Sequence, residues 1–308
     1  MTASDDSLVV LLPERRRLAA AALDRDLTLR FGRADRLADA TPGETAQLQR
    51  HFNLVPAGWP MAALTRQLES GDADTDLWLR ADPAFVRAEM GGARLMACGD
   101  LGFAPGEADD LLAPLRPLFG EAGMPISAGA EGRWYLRLAR ATPIPGFAPP
   151  AEALGADVLP FLPVGRDFAK WRALFNEAQV LLHNHPRNAA RIAAGQPVVN
   201  SLWFWGGGVL PDRVDAPFAA VLGEDFELRA LAHRAGVADL AADAGSILAD
   251  HRRDRDWMRV QALAGDAGAR FARIEFDFAD GVRYAWRRAH RWRLWRGPLD
   301  PAQTSAGA

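Results

Sequence analysis

The run Leu8-Val9-Val10-Leu11-Leu12, cut off by Pro13, sets the scale on which this chain can fold. Such a short β-branched run, closed by a residue that cannot continue a ladder in a central strand, reads as a buried strand. The same punctuation recurs. Asp76-Leu77-Trp78-Leu79-Arg80, Arg94-Leu95-Met96-Ala97-Cys98 and Arg133-Trp134-Tyr135-Leu136-Arg137-Leu138 read as strands, and Val198 to Trp205 as a buried strand ending in Gly206-Gly207-Gly208. Helical patterns lie among them: an Ala-rich stretch from Arg15 to Ala22, then Thr45 to Phe52, Met61 to Glu69, and Gly106 to Phe119 with acidic residues suited to an N-terminal dipole. From Phe168 to about His183, Trp171, Leu174, Phe175, Ala178 and Leu182 recur at helical steps, with Asp167 placed to cap. Pro186 ends or kinks that helix, and a second, Asn188 to Ala194, stops at Gly195. Strands alternating with helices make this a mixed α/β chain.

The composition changes between Ala141 and Pro163, where prolines at 143, 145, 149, 150, 160 and 163 exclude a long helix. The expected organisation is an N-terminal α/β lobe over 1–140, a Pro-rich crossing over 141–165 and a C-terminal lobe over 166–300. Apolar residues make up 49% and charged residues 24% of the chain, which excludes wholesale disorder. A net charge of -3 supplies no global field for nucleic acid or an anionic membrane, so either partner would need a local basic patch. Cys98 is the sole cysteine, so an intramolecular disulfide and a thiolate zinc site are both excluded. Met1 to Ser7 has no basic n-region, and no stretch approaches the roughly 18 to 20 apolar residues of a membrane span. A cytoplasmic protein with no membrane partner is expected.

Polar groups crowd around two tryptophans in one block. His185-Pro186-Arg187-Asn188 is followed by Arg191, Gly195-Gln196-Pro197 and Asn200-Ser201-Leu202-Trp203-Phe204-Trp205-Gly206-Gly207-Gly208. Two readings are open. A strand ending in three glycines lets the backbone approach a ligand and point amides at an anion such as phosphate. Equally, Trp203 and Trp205 share one face of a core strand and the glycines permit close packing. The run lacks the lysine of a P-loop and the spacing of a dinucleotide fingerprint.

This block resembles that of the RpfE-type regulatory proteins of bacteria, which are themselves similar to archaeal-type, cofactor-independent phosphoglycerate mutases. The shared places are His185, Pro186, Asn188, Arg191, Gly195, Asn200, Trp203, Trp205, Gly206 and Gly208. The resemblance to the RpfE type extends to Leu79-Arg80-Ala81-Asp82-Pro83, Arg133-Trp134-Tyr135-Leu136 and Asn176-Glu177-Ala178-Gln179; to the mutases it is confined to the block. It implies an alkaline-phosphatase-like mixed sheet with flanking helices, partly degenerate, and a phosphoglycerate-like substrate class. The mutases also carry an Asp-Gly metal-binding pair after the first strand and a late Gly-Asp-His segment. Here Leu11-Leu12-Pro13-Glu14 follows instead, and no Gly-Asp-His occurs after Gly208. Two-metal phosphoryl transfer needs carboxylates and imidazoles that converge, so no metal and no cofactor is expected, and Ser201 lacks an activator.

Other candidates read as structure. His183 and His185, two apart, suit a helix end better than a metal pair. Asp72, Asp74 and Asp76 lack the glycine and glutamate of a calcium loop and form a solvated turn. Asp109 and Asp110 decorate a helix start, and Cys98 fills a strand as a small buried residue. Arg283 to Arg296 mixes cations with aromatics in the manner of single-strand nucleic-acid binders. It also fits a terminal hairpin, after Phe271 to Phe278 and the turn Asp280-Gly281, with its tryptophans inward.

The leading expectation is a phosphoglycerate-mutase-like protein of the RpfE regulatory type that binds a phosphorylated small molecule or a regulatory protein without full metal-dependent catalysis. Its binding residues would be His185, Asn188, Arg191, Asn200, Trp203, Trp205, Gly206, Gly207 and Gly208. The alternatives are an active phosphoglycerate mutase, an isomerase, and a nucleic-acid-binding regulator acting through the C-terminal basic run, the last disfavoured by the inward tryptophans.

Overall fold

The computed structural model describes residues 6–129, 132–165, 168–239 and 244–303, apart from the side chains of 264–269. The chain divides into two units, Met1–Asn53 with Arg213–Ala308, and Leu54–Asp212. Unit 1 opens with β1 (Ser7–Leu12), α1 (Arg15–Leu18), α2 (Arg25–Arg33), β2 (Asp35–Arg36) and α3 (Glu44–His51). β3 (Asn53–Val55) leads into unit 2, which holds α4 (Met61–Ser70), β4 (Leu77–Glu89), β5 (Gly92–Cys98), α5 (Glu107–Leu112), α6 (Leu115–Glu121), β6 (Ile126–Ala128), β7 (Trp134–Leu138), α7 (Pro150–Ala153), α8 (Ala169–His183), α9 (Arg187–Ala193) and β8 (Ser201–Val209). After β9 (Arg213–Asp215), unit 1 is completed by β10 (Ala220–Leu222), α10 (Phe226–Ala235), β11 (Ala238–Asp239), β12 (Ser246–Asp250), α11 (Met258–Arg270), β13 (Arg273–Phe278), β14 (Arg283–Arg287) and a 3-10 turn at Arg288–Trp292.

The strand expected from Leu8 to Leu12 lies in the middle of the unit 1 sheet, whose order is β11-β10-β12-β1-β13-β14-β2. The pairs from β11 to β13 are parallel, while β14 runs antiparallel to both β13 and β2. Period two along β1 sends Leu8, Val10 and Leu12 into a core with Phe276, Phe278 and Trp257. Phe31 of α2 sits at its centre, its ring 4.6 Å from Phe276, 5.5 Å from Tyr284 and 5.9 Å from Trp257. Such tilted and edge-on pairs each add about 1 kcal/mol to the burial itself. β1 therefore presents Leu11 to the opposite face, level with Asp250 of β12 and Asp277 of β13.

In unit 2, β4 carries the sheet. β8 runs antiparallel along one edge, while β7 and then β5 line the other in tandem. Leu77, Leu79 and Ala81 face a core with Leu136, Leu202, Phe204 and the apolar stripe of α8, including Trp171, Phe175 and Leu182. The intervening residues, Trp78, Arg80 and Asp82, face the other way.

β1, β4, β5, β7, β8, the β13–β14 hairpin, α3, α4, α8 and α9 fall within the stretches the sequence marked or overlap them, while β2, β3, β6 and β9 to β12 were not expected, and Gly195 takes the left-handed conformation at φ +69 that a helix stop requires. Three expectations need correction. The helix expected over Gly106 to Phe119 is two helices, because Pro114 has no amide hydrogen to continue the first. The helix from Arg15 ends at Leu18, and an unanticipated α2 starts where the Asp24 carboxylate accepts the Leu27 amide at 2.7 Å. The lobe division does not fall at 141–165. That stretch belongs to unit 2, where the Leu95 amide donates to Ala156 and the Val158 amide to Ala93, so the prolines mark an irregular segment laid along β5. Asp167, the expected cap of α8, lies outside the described residues.

Among the described residues no helix is long and apolar enough to cross a membrane.

Candidate functional site

The block singled out in the sequence is built around β8, and its polar groups are engaged by the protein itself. Asn188, buried on α9, donates through Nδ2 to the carbonyls of Leu182 (2.8 Å) and Val199 (2.9 Å) and accepts the Val199 amide at 2.9 Å. This joins the end of α8 to the approach to β8 and satisfies backbone groups freed at Pro186. Arg191 is 1% exposed. Its Nε donates to the Pro197 carbonyl at 2.6 Å, Nη1 to Glu107 at 2.9 Å and Nη2 to the Leu101 carbonyl, and its guanidinium lies over the Phe103 ring. Asn200 pairs with both the amide and the carbonyl of Val86, at 2.9 and 2.8 Å, in the manner of a strand neighbour. The His185 imidazole accepts the Arg187 amide at 3.2 Å, a helix-end role.

The tryptophans and glycines occupy the rest of β8. Trp203 donates to the Ala148 carbonyl at 2.9 Å and Trp205 to Asp82 at 2.7 Å. Asp82 is also clasped by Arg80 through two 2.8 Å bonds, with the Arg80 guanidinium 4.9 Å from the Trp205 ring and 5.3 Å from that of Tyr135. Burial, opposed by Arg80, pushes the Tyr135 hydroxyl up to about 12, and that hydroxyl donates to Glu69 at 2.9 Å. A β-carbon added at Gly207 would meet Ile144 at 2.4 Å, and one at Gly208 would meet Pro60 at 2.7 Å. The helix break after His185 and the glycines of β8 do not meet in a common pocket. Asn188 meets Val199 before β8 begins, and Gly206 lies about 20 Å further along an extended strand.

The open polar geometry lies at the carboxyl ends of the parallel strands of unit 1, where open α/β sheets place their ligands. Asp250 ends β12 and Asp277 is the penultimate residue of β13, on either side of Leu11. Asp277 is fully buried and held by Arg50 at 2.7 and 3.0 Å and by His51 at 3.1 Å. Burial alone would raise its carboxyl; His51 and Arg50 outweigh it and leave the group below the usual carboxylate range. Asp250 is held in the same way by Arg252 through two 2.8 Å bonds, and it too is lowered although burial opposes the shift. Arg252 also reaches Asp225 at 3.2 Å. Beside these groups Gln47 donates to the carbonyls of Leu12 and Asp277, while its buried Oε1 meets no protein donor among the described residues.

A cleft of about 690 Å³ opens beside Asp250, lined by Asp225, Arg229, His251, Arg253, Asp254 and Arg259 among others. That is the size of a small-molecule site. His251 meets Asp254 at 2.8 Å, and Arg253 and Arg259 are 82% and 77% exposed. Their guanidinium groups have donors left over for an anion. The sequence reading passed over this edge. The available signal was an apolar strand closing on aspartate, in Ile247-Leu248-Ala249-Asp250 and Ile274-Glu275-Phe276-Asp277.

The two-metal arrangement implied by the mutase resemblance does not fit these residues. Pro13-Glu14 follows β1, Glu14 pairs with Arg16, and both strand-end aspartates already carry guanidinium partners. Among the described residues no three His, Cys, Asp or Glu side chains gather in a form that could hold a metal ion.

No family model matches the chain. A probable 2,3-bisphosphoglycerate-independent phosphoglycerate mutase from Geobacter sulfurreducens is 36% identical over 63 residues, 20% of this chain and 16% of that protein. The corresponding mutase of Methanosarcina mazei is 35% identical over 63 residues, with the same shares. The match thus spans about a sixth of the length of these curated relatives. Among solved structures, the cofactor-independent phosphoglycerate mutase of Thermoplasma acidophilum aligns over 98% of this chain and 96% of its own, at 14% identity and a TM-score of 0.44. A Pyrococcus horikoshii protein aligns over 99% of both chains at 12% identity and the same TM-score. The chain is distantly similar to the cofactor-independent phosphoglycerate mutases.

Proposed function

We propose that this chain is a phosphoglycerate-mutase-like protein of the RpfE regulatory type, which binds a phosphorylated metabolite at the carboxyl edge of unit 1 and lacks full metal-dependent catalysis. The observation that carries the reading is the arginine closure of Asp250 and Asp277. Carboxylates neutralised by bidentate guanidinium groups offer a cation little, because a divalent ion would have to displace a buried charge already paired. In the cleft beside Asp250 an anion would be met by Arg253 and Arg259, whose exposed guanidinium groups face Asp225 and Asp254 and keep further donors. The partial similarity to phosphoglycerate mutases supplies the ligand class: a small carboxylate bearing one phosphate. In this reading the β8 block holds unit 2 together and does not meet the ligand.

Titration calorimetry with 3-phosphoglycerate, on the unaltered protein and on the double variant Arg253→Ala/Arg259→Ala, tests the proposal. Binding to the first that weakens at least 10-fold in the second supports it. Absence of binding to the unaltered protein, or equal binding to both, removes the cleft as the ligand site.

A further inference from the structure

The C-terminal basic run turns only the first of its three tryptophans inward. Trp286, on β14, is 5% exposed and packs in the unit 1 core, but Trp292 and Trp295 are 67% and 79% exposed, with Leu294 at 72% between them. The break follows from the fold. β14 ends at Arg287, and the 3-10 turn at Arg288–Trp292 carries the chain off the sheet before the later tryptophans are reached. What holds this segment is polar: Arg293 donates to Asp35 and to the Arg33 carbonyl, Arg296 to the Ala34 carbonyl, and Arg33 to the Arg291 carbonyl. The indoles are left on display by an anchored backbone.

The charge of the surface is one-sided. From Arg283 to Arg296 there are six arginines and no acidic residue. Arg287 and Arg291 are exposed and have no carboxylate partner among the described residues, and the Arg291 guanidinium lies 5.0 Å from the Trp292 ring centre. Two acidic groups that face the segment are engaged by it, Asp35 by Arg293 and Glu275 by Arg283. Beside it runs a groove of about 520 Å³ whose lining includes Arg36, Arg296, Asp35 and Tyr284.

We propose that this surface binds single-stranded nucleic acid, with Trp292 and Trp295 as stacking platforms for unpaired bases and the arginines and groove following the phosphates. Exposed aromatic faces interleaved with cations along a groove are the elements of sequence-tolerant single-strand binding. A duplex hides its base faces from such rings, and a bilayer requires a continuous apolar helix face, which one 3-10 turn with a single aliphatic residue does not supply. This surface is independent of the cleft proposed for the metabolite.

The test is fluorescence anisotropy of the full chain with labelled 12-nucleotide oligo-dT and oligo-U, over a salt series. Parallel arms use a duplex of equal length and anionic phosphatidylserine vesicles. The expected result is binding to a single strand that weakens steadily with salt and falls about 10-fold for each of Trp292→Ala and Trp295→Ala. Arg287→Glu/Arg291→Glu should lower both the affinity and the salt slope, with unchanged melting temperatures showing that the variants fold. The DNA and RNA arms decide which strand is preferred. No binding near 50 mM salt, equal binding to duplex without loss in the tryptophan variants, or binding only to vesicles would overturn the proposal. The charge variant reads independently if an indole variant fails to fold.

Discussion

Asp250 and Asp277 stand level with each other on either side of Leu11, and each is closed by an arginine, Arg252 for the first and Arg50 for the second. The carboxyl edge of the sheet thus presents paired charges where strand-end carboxylates could otherwise gather a cation. Removing one guanidinium leaves a buried carboxylate uncompensated, which in general costs about 3 to 5 kcal/mol. Arg50→Ala should fall at the lower end, about 3 kcal/mol, because His51 remains beside Asp277. Urea unfolding followed by circular dichroism checks this; a loss near zero would mean that Asp277 does not depend on Arg50.

The same pair gives the protein an acid-sensitive unit. Both aspartates titrate below their unfolded value, so their contribution is fully present above about pH 4 and is lost as pH falls through the lowered folded values. The urea midpoint should drop steeply below about pH 4, and Asp277→Asn should flatten part of that dependence. An unchanged slope in that variant would contradict the assignment.

Arg191 separates packing from ligand binding. With partners at Pro197, Glu107 and Leu101 and 1% exposure, it is a buried clamp on unit 2. Arg191→Ala should cost about 3 kcal/mol by leaving Glu107 and two carbonyls without their donor. Affinity for 3-phosphoglycerate should stay within error in conditions where the variant is folded. A large loss of affinity at unchanged melting temperature would return the ligand site to β8.

The C-terminal tryptophans should divide by position. Trp286→Ala removes a core ring and should cost about 3 to 5 kcal/mol, while Trp292→Ala and Trp295→Ala, both exposed, should stay within about 0.5 kcal/mol. Melting curves of the three variants distinguish the buried ring from the displayed ones.

How far the sequence carried the reading depended on whether the signal was local. Leu8 to Leu12, the α8 stripe and the stop at Gly195 are written in residues that are neighbours along the chain, and each took the form its pattern dictated. The unit division was hidden because the punctuation at its crossings is short, Pro56, Gly58 and Pro60 after Asn53 and Pro211 before Arg213, beside the six prolines of 143–163, whose stretch stays within unit 2 and bonds to β5 at its end. The β8 block looked like a site because Asn188, Arg191 and Asn200 are polar and close in sequence; that their partners are backbone carbonyls and amides is a tertiary fact. At the carboxyl edge the strand-end aspartates are local signals, but the pairing of Arg50 with Asp277, 227 residues apart, is announced by nothing along the chain. The outward tryptophans were missed because inward packing was extended past Arg287, where the strand ends.

Manganese binding, measured together with turnover, tests most directly whether the arginine-closed edge has left metal-dependent chemistry. The protein should be dialysed against chelator, titrated with manganese by electron paramagnetic resonance, and assayed for conversion of 3-phosphoglycerate to 2-phosphoglycerate in the same samples. The account predicts no tight stoichiometric manganese and no manganese-dependent conversion. About two ions bound per chain, with turnover that appears as they bind, would contradict it and make the chain a working mutase.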